Sequence, residues 1–238
     1  MKGSVRASVL VLVVMVGFPA LVRAQEFRHI ELNPFVAFSS FTKSNYQIGF
    51  PQSITPLQEQ FKFNETLRGG VRFNVNTTRH WGEEFFFSYE PNKAHFIRQT
   101  PPTATQTYDV HIYNFGINAM YYLNEEEGAQ TRPFLSVGLG GLVSQPSGLS
   151  KQIANDPLRG DLPGFETAAE IAANFGVGVK RHLTDDFDLR MDVRDYVSRN
   201  PTFGLPRSSS DPNAVVFPAF GAINNLEVSA GIIFKFKR

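Results

Sequence analysis

Phe187-Asp188-Leu189-Arg190-Met191-Asp192-Val193-Arg194 alternates a large apolar residue with a charged one at every step. A β-strand sends successive side chains to opposite faces, so this run has one wholly apolar face and one wholly charged face. A helix would scatter the same charges around its whole circumference, because its period is 3.6 rather than 2. The segment from Phe187 to Val197 therefore reads as a strand between two different media. One side suits hydrocarbon or a core, and the other suits water or a set of matched ions.

Seven more segments obey the same rule. Ile30 to Ser40 sets Ile30, Leu32, Val36 and Phe38 against Glu31, Asn33 and Ala37. Leu67 to Asn76 sets Leu67, Val71, Phe73 and Val75 against Arg68, Arg72, Asn74 and Asn76. Trp81 to Tyr89 places Phe85, Phe87 and Tyr89 opposite Glu84, Phe86 and Ser88. A longer run, Tyr108 to Leu123, opposes Tyr113, Phe115, Ile117, Ala119 and Tyr121 to Asn114, Gly116 and Asn118. Pro133 to Val143, Ala168 to Lys180 and Leu226 to Phe236 complete the set, their polar faces rich in Gly and Ser. Each is close to the roughly 9–11 residues that a tilted membrane-spanning strand needs.

The connections alternate too. They run to about 26, 4, 18, 9, 24, 6 and 28 residues in chain order, long and short by turns, as in barrels with long loops on one side and tight turns on the other. The long ones carry turn-formers, among them Pro101-Pro102-Thr103 and Ser208-Ser209-Ser210-Asp211-Pro212-Asn213. These features predict an all-β fold, an eight-stranded antiparallel up-and-down transmembrane β-barrel, as one domain over residues 25–238.

A separate signal precedes it. Lys2 and Arg6 lead into an apolar stretch from Val9 to Val22, and Val22-Arg23-Ala24 resembles a cleavage site before Gln25. The stretch is shorter than a spanning helix requires, so residues 1–24 are expected to be a cleaved secretory signal peptide. It holds Lys2, Arg6 and Arg23 and no acid. The formal net charge of +1 thus belongs to the signal, and the remainder is slightly acidic. That balance gives no electrostatic footprint for nucleic acid. With no cysteine the chain has neither disulfides nor a lipid anchor on sulfur. A mean hydropathy of −0.18 beside 23 phenylalanines fits strands that are apolar on one face only.

Size and charge assign the faces. The apolar sets hold bulky residues, with Trp81, Tyr121 and Phe236 near the short turns as an interfacial girdle. The opposite sets hold Gly, Ser, Asn and charges of both signs. Eight strands enclose a space that side chains fill, so the polar faces should interlock as ion pairs. The interior candidates are Glu31, Glu84, Asp188, Asp192 and Glu227 against Arg68, Arg72, Lys180, Arg190, Arg194 and Lys235. The lumen ion-pair network is expected to comprise Arg68, Arg72, Glu84, Lys180, Arg190, Asp192 and Arg194. Within it, Glu84, Arg72, Arg190, Asp192 and Arg194 should form one connected set. Gly138, Gly140, Gly176 and Gly178 are expected to leave room for the arginine chains.

At this point the sequence resembles the small OmpA-type outer-membrane β-barrels. The likeness is carried by Arg132-Pro133-Phe134-Leu135-Ser136-Val137-Gly138-Leu139-Gly140-Gly141, by Asn174-Phe175-Gly176-Val177-Gly178-Val179-Lys180 and by the Arg/Asp strand after it. The aromatic end of the last strand is similar to the signal read by the outer-membrane assembly machinery, although Lys237-Arg238 come after Phe236. The resemblance implies a bacterial outer-membrane location, with outer-membrane lipid and the assembly machinery as partners. The larger members' peptidoglycan-binding domain is not expected after the eighth strand.

Little chemistry is legible. His29, His80, His95, His111 and His182 are isolated in sequence, and none lies two residues from a serine that it would activate. His111, toward the outer end of the fourth strand, is the best of them. No His/Asp/Glu spacing suggests a metal site, and the Gly-x-Gly pairs lack a helix after them to hold phosphate. The reading is a non-enzymatic barrel without cofactor or catalytic residues. Its expected role is structural or surface-interacting, with a plugged interior and four exposed loops. A narrow or gated channel is the alternative. A lipocalin-like binder, with its apolar faces turned inward, is the third possibility.

Overall fold

The computed structural model describes residues 29–42, 44–48, 57–99, 103–125, 129–156, 158, 162, 164–211, 216–217 and 221–236. The expected signal peptide, residues 1–24, and the terminal Lys237-Arg238 lie outside them.

Eight long strands form the wall: β1 (His29–Phe41), β4 (Thr66–Asn76), β5 (Trp81–Arg98), β6 (Thr105–Tyr122), β7 (Thr131–Pro146), β8 (Ala168–His182), β9 (Phe187–Arg199) and β10 (Ala222–Phe236). Each pairs antiparallel with its sequence neighbour in this series, and β10 returns to pair with β1, which closes the barrel. Closure leaves no free edge among these eight strands, so each wall strand has a ladder on both sides. The closing seam contains Pro34, which has no N–H to give. Beside it the Asn33 side chain donates to the Ile232 carbonyl at 3.0 Å and restores a bond across the seam.

The side-chain faces divide as the alternation requires. Val36, Val71, Phe87, Ile117, Val137, Val177, Val193 and Val228 are exposed on the outer wall, whereas Arg72, Glu84, Asn118, Arg190 and Glu227 are buried inside. Trp81 meets Tyr121 edge-on at 5.0 Å and Phe187 meets Phe234 at 5.3 Å, at the level of the short turns. On the other side Tyr89, His111 and Tyr113 form a second aromatic level. From Trp81 to Tyr89 the strand climbs by about 20 Å along the axis at its usual rise and tilt, close to the apolar band of such barrels.

Above that second level the polarity of the wall inverts. Along β6, Asn114 and Asn118 point inward at membrane level; farther out the inward positions are Ile112, Val110 and Tyr108. The outward positions change from Ile117 and Phe115 to His111, Asp109 and Thr107. The period stays at 2 while the medium outside changes from lipid to water. The strands thus extend past the bilayer and turn their apolar face inward, as a soluble barrel does. The interior is thus polar at membrane level, and the expectation of a polar interior does not extend to this outer part.

Two elements absent from the sequence reading build the extension. A hairpin of β2 (Ser44–Ile48) and β3 (Leu57–Phe63) arises inside the first long connection, and β3 pairs with the outer part of β5, Phe61 opposite Phe96. A short helix, α1 (Gly148–Asn155), comes after β7, capped by Ser147, whose hydroxyl accepts from the Ser150 amide at 3.1 Å. Phe41, Phe61, Phe63, Phe96, Tyr108, Phe165, Phe203 and Phe217 meet with Val110, Ile112 and Leu142 in one buried apolar cluster that caps the lumen. Phe203 sits at φ 51°, in the left-handed region that costs an L-residue about 1–2 kcal/mol. Its ring lies 4.8 Å from Phe165 and 5.8 Å from Phe61, and this packing offsets the strain.

The glycines serve another purpose than expected. A Cβ on Gly138 would sit 2.1 Å from the Ile117 carbonyl, one on Gly140 2.1 Å from the Phe115 carbonyl, and one on Gly176 2.7 Å from the Val193 carbonyl. They permit close strand approach. Gly178 makes room for the Phe134 ring and the Asp192 side chain, not for an arginine chain.

Candidate functional site in the barrel lumen

Beneath the aromatic cap the interior is a stack of charged layers, each built by inward positions two residues apart on several strands. At the outermost layer Arg68 of β4 donates to Glu90 of β5 at 2.6 and 2.9 Å, to Glu227 of β10 at 2.9 Å and to Asn225 at 2.6 Å. Glu227 then leads downward: its other oxygen accepts from Arg72 at 2.8 Å. Arg72 also reaches Asp192 at 3.2 Å and sits over the Phe35 ring, 3.7 Å from its centre.

The central layer joins β5 and β9. Arg190 donates to Glu84 at 2.6 Å and to Asp192 at 2.8 Å, and Arg194 approaches the other Glu84 oxygen at 2.9 Å. Asn118 donates to Glu84 at 2.7 Å and Ser229 to Asp192 at 2.6 Å. The guanidinium groups of Arg190 and Arg194 face the Phe134 and Phe86 rings at 4.6 and 5.7 Å. Every member is buried, so each charge has lost its water and depends on these partners. The structure thus brings Glu84, Arg72, Arg190, Asp192 and Arg194 together, and Arg68 joins them through Glu227.

Lys180 belongs to a separate layer nearer the short turns. It donates to Glu31 at 2.5 Å and to the Tyr122 hydroxyl at 2.7 Å, while Asn74 and Asn76 donate to the same carboxylate. At the mouth, Lys235 contacts Asp188 at 2.8 Å and His182 stands 3.1 Å from the same oxygen. Sequence reasoning misses Glu90, because the apolar-outward alternation of the third strand stops at Tyr89 while the strand itself continues to Arg98. It passed over Glu227 as a network member, although parity had placed it inside. It also missed the aromatic rings of Phe35 and Phe134, which sit among the charges on faces otherwise polar.

Among the described side chains the histidines do not gather. His80 bonds the Tyr122 carbonyl at 2.9 Å, His111 bonds the Tyr89 hydroxyl at 2.8 Å on the outer wall, and His95 lies higher on that wall. Among the described residues no three His, Cys, Asp or Glu stand close enough together to hold a metal ion. No described helix is long and apolar enough to cross a membrane.

An apolar belt around a closed wall, two aromatic levels and an ion-paired lumen define the class: an integral β-barrel of the bacterial outer membrane, seated in lipid. The chain belongs to the family described as the outer membrane protein beta-barrel domain, whose profile matches residues 8–231. No curated protein matches the sequence. Among solved structures it is similar to the outer membrane protein OprG from Pseudomonas aeruginosa, at 12% identity and TM-score 0.59, covering 90% of this chain and 99% of that one. It is also similar to the outer membrane protein AlkL, solved in lipid bilayers, at 15% identity and TM-score 0.50 over 91% and 94% of the two chains. The outer membrane protease OmpT of Escherichia coli matches at 9% identity and TM-score 0.47, over 91% and 99%. At such identities the likeness concerns the fold alone.

Proposed function

We propose that this chain is a closed, side-chain-plugged barrel that serves as a structural or surface-interaction protein, without enzymatic activity. The lumen network of Arg68, Arg72, Glu84, Lys180, Arg190, Asp192 and Arg194 holds the wall together, and the aromatic cap holds the outer loops in place. One observation carries this reading: buried ionic layers and an apolar cap succeed one another along the axis, from the Lys235–Asp188 mouth to Phe203. A lining built for conduction would favour one sign of charge and leave a path between. Phe234 and Phe236 at the end of β10 support recognition by the assembly machinery during insertion. Proteoliposomes should show no swelling in small sugars. Uptake as fast as that of a general porin would overturn the reading.

The alternative, a narrow or gated channel, has a specific support. Ser88, Ser136 and the whole Asn174 amide are buried without a hydrogen bond inside the protein. These groups offer the network other partners should it rearrange. Voltage-dependent, brief openings would favour this reading over the closed plug.

A further inference from the structure

The outer wall of β3, β5 and β6 carries a cluster that neither the lumen nor the cap uses. Lys62 of β3 pairs across the ladder with His95 of β5, and Lys93 pairs likewise with Asp109 of β6. Both histidine nitrogens are held: Nδ1 lies 2.8 Å from the Thr107 hydroxyl and Nε2 2.8 Å from the Asn64 side-chain oxygen. The ring is therefore fixed beside the two lysines, Lys62 across the ladder and Lys93 two residues back on its own strand.

We propose that Lys62 of β3 and Lys93 of β5, with the Thr107 hydroxyl of β6 on the other side of β5, bind the phosphate of a phosphorylated glycolipid of the outer leaflet. The height of the cluster is the first argument. Lys93 lies four residues beyond Tyr89, the girdle residue that marks the edge of the apolar band, which puts it about 10 Å farther out. That is the depth of a lipid headgroup rather than of acyl chains or bulk water. Charge is the second. Burial and then the charges of Lys62 and Lys93 hold the His95 imidazole below the ordinary histidine range, so a positive field converges there. Asp109 answers Lys93 at 3.2 Å, but both partners are more than half exposed, and such a pair is weak enough to exchange for a phosphate. The third is the wall below. Tyr89 and His111 stack with centroids 5.8 Å apart, and Phe87 and Phe115 continue downward, an apolar and aromatic track for the chains of a lipid held by its headgroup.

The bound phosphate would reverse the field at His95, and this gives a direct readout. The full-length protein is placed in phosphatidylcholine nanodiscs and the His95 ring is titrated by NMR, with and without lipid A. Lipid A should raise the His95 midpoint by about 0.5 pH unit or more, because an anion favours the charged imidazole. Dephosphorylated lipid A should leave it in place. The double substitution Lys62→Gln, Lys93→Gln should abolish the lipid-induced shift while raising the midpoint of the lipid-free protein. An unchanged midpoint with lipid A, or a shift that survives the double substitution, would overturn the proposal. An equal shift with inorganic phosphate at the same concentration would also overturn it, since the site would then take a free anion rather than a lipid.

Discussion

Replacing Glu84 by glutamine isolates the central layer of the lumen. The carboxylate serves Arg190 at 2.6 Å, Arg194 at 2.9 Å and Asn118 at 2.7 Å. Arg190 keeps Asp192 at 2.8 Å after the change, whereas the nearest remaining acid to Arg194 is Asp192 at 3.7 Å. The cost therefore falls mainly on one guanidinium. Breaking a buried pair by removing one partner costs roughly 3–5 kcal/mol, and the retained amide oxygen places this case near the lower end. Unfolding in urea from lipid vesicles, monitored by the loss of the folded band on unheated gels, would measure it. Arg194→Met alone should cost less than Glu84→Gln. In the double variant the two costs should fall short of additive, because the stranded charge is gone. A Glu84→Gln protein within about 0.5 kcal/mol of the wild type would refute the claim that this layer is desolvated and interdependent.

The wall and the cap give three further expected outcomes. Val177→Arg, on the lipid face near mid-depth, should destabilise the barrel by about 2–4 kcal/mol in the same urea assay, while Asn174→Arg, facing the lumen, should behave differently. Gly140→Ala should cost about 1–3 kcal/mol, since its new methyl meets the Phe115 carbonyl rather than a movable side chain; a neutral result would remove the close-approach argument. Phe203→Ala should release the loop between β9 and β10 to limited proteolysis, leaving the membrane-level barrel intact on gels.

Much of this was legible in the alternation itself. Phe187 to Val197 states its two faces residue by residue, and the same parity places Arg72, Glu84 and Glu227 inside. The partners are less legible, because each network bond joins strands distant in sequence, such as Arg72 with Glu227. Parity says which face a residue shares, but shear and strand tilt decide which residues share a height. Hence Lys180, on the correct face, belongs to a different layer from Glu84. The cap stayed hidden for another reason. Ala94, Phe96, Tyr108, Val110 and Ile112 keep the period of the membrane strands but reverse its polarity. A search for apolar-out strands therefore ends at Tyr89 and takes the outer half of β5 for loop. The reversal between Tyr113 and Ile112 was in the sequence and marks where lipid gives way to water.

The central claim is that ion pairs and an aromatic cap close the lumen, and single-channel recording in planar bilayers tests it most directly. The wild-type protein should insert and give at most a small, intermittent current, and Glu84→Gln should increase the frequency of brief openings without producing a steady one. A large and steady porin-like conductance from the wild type would contradict the account.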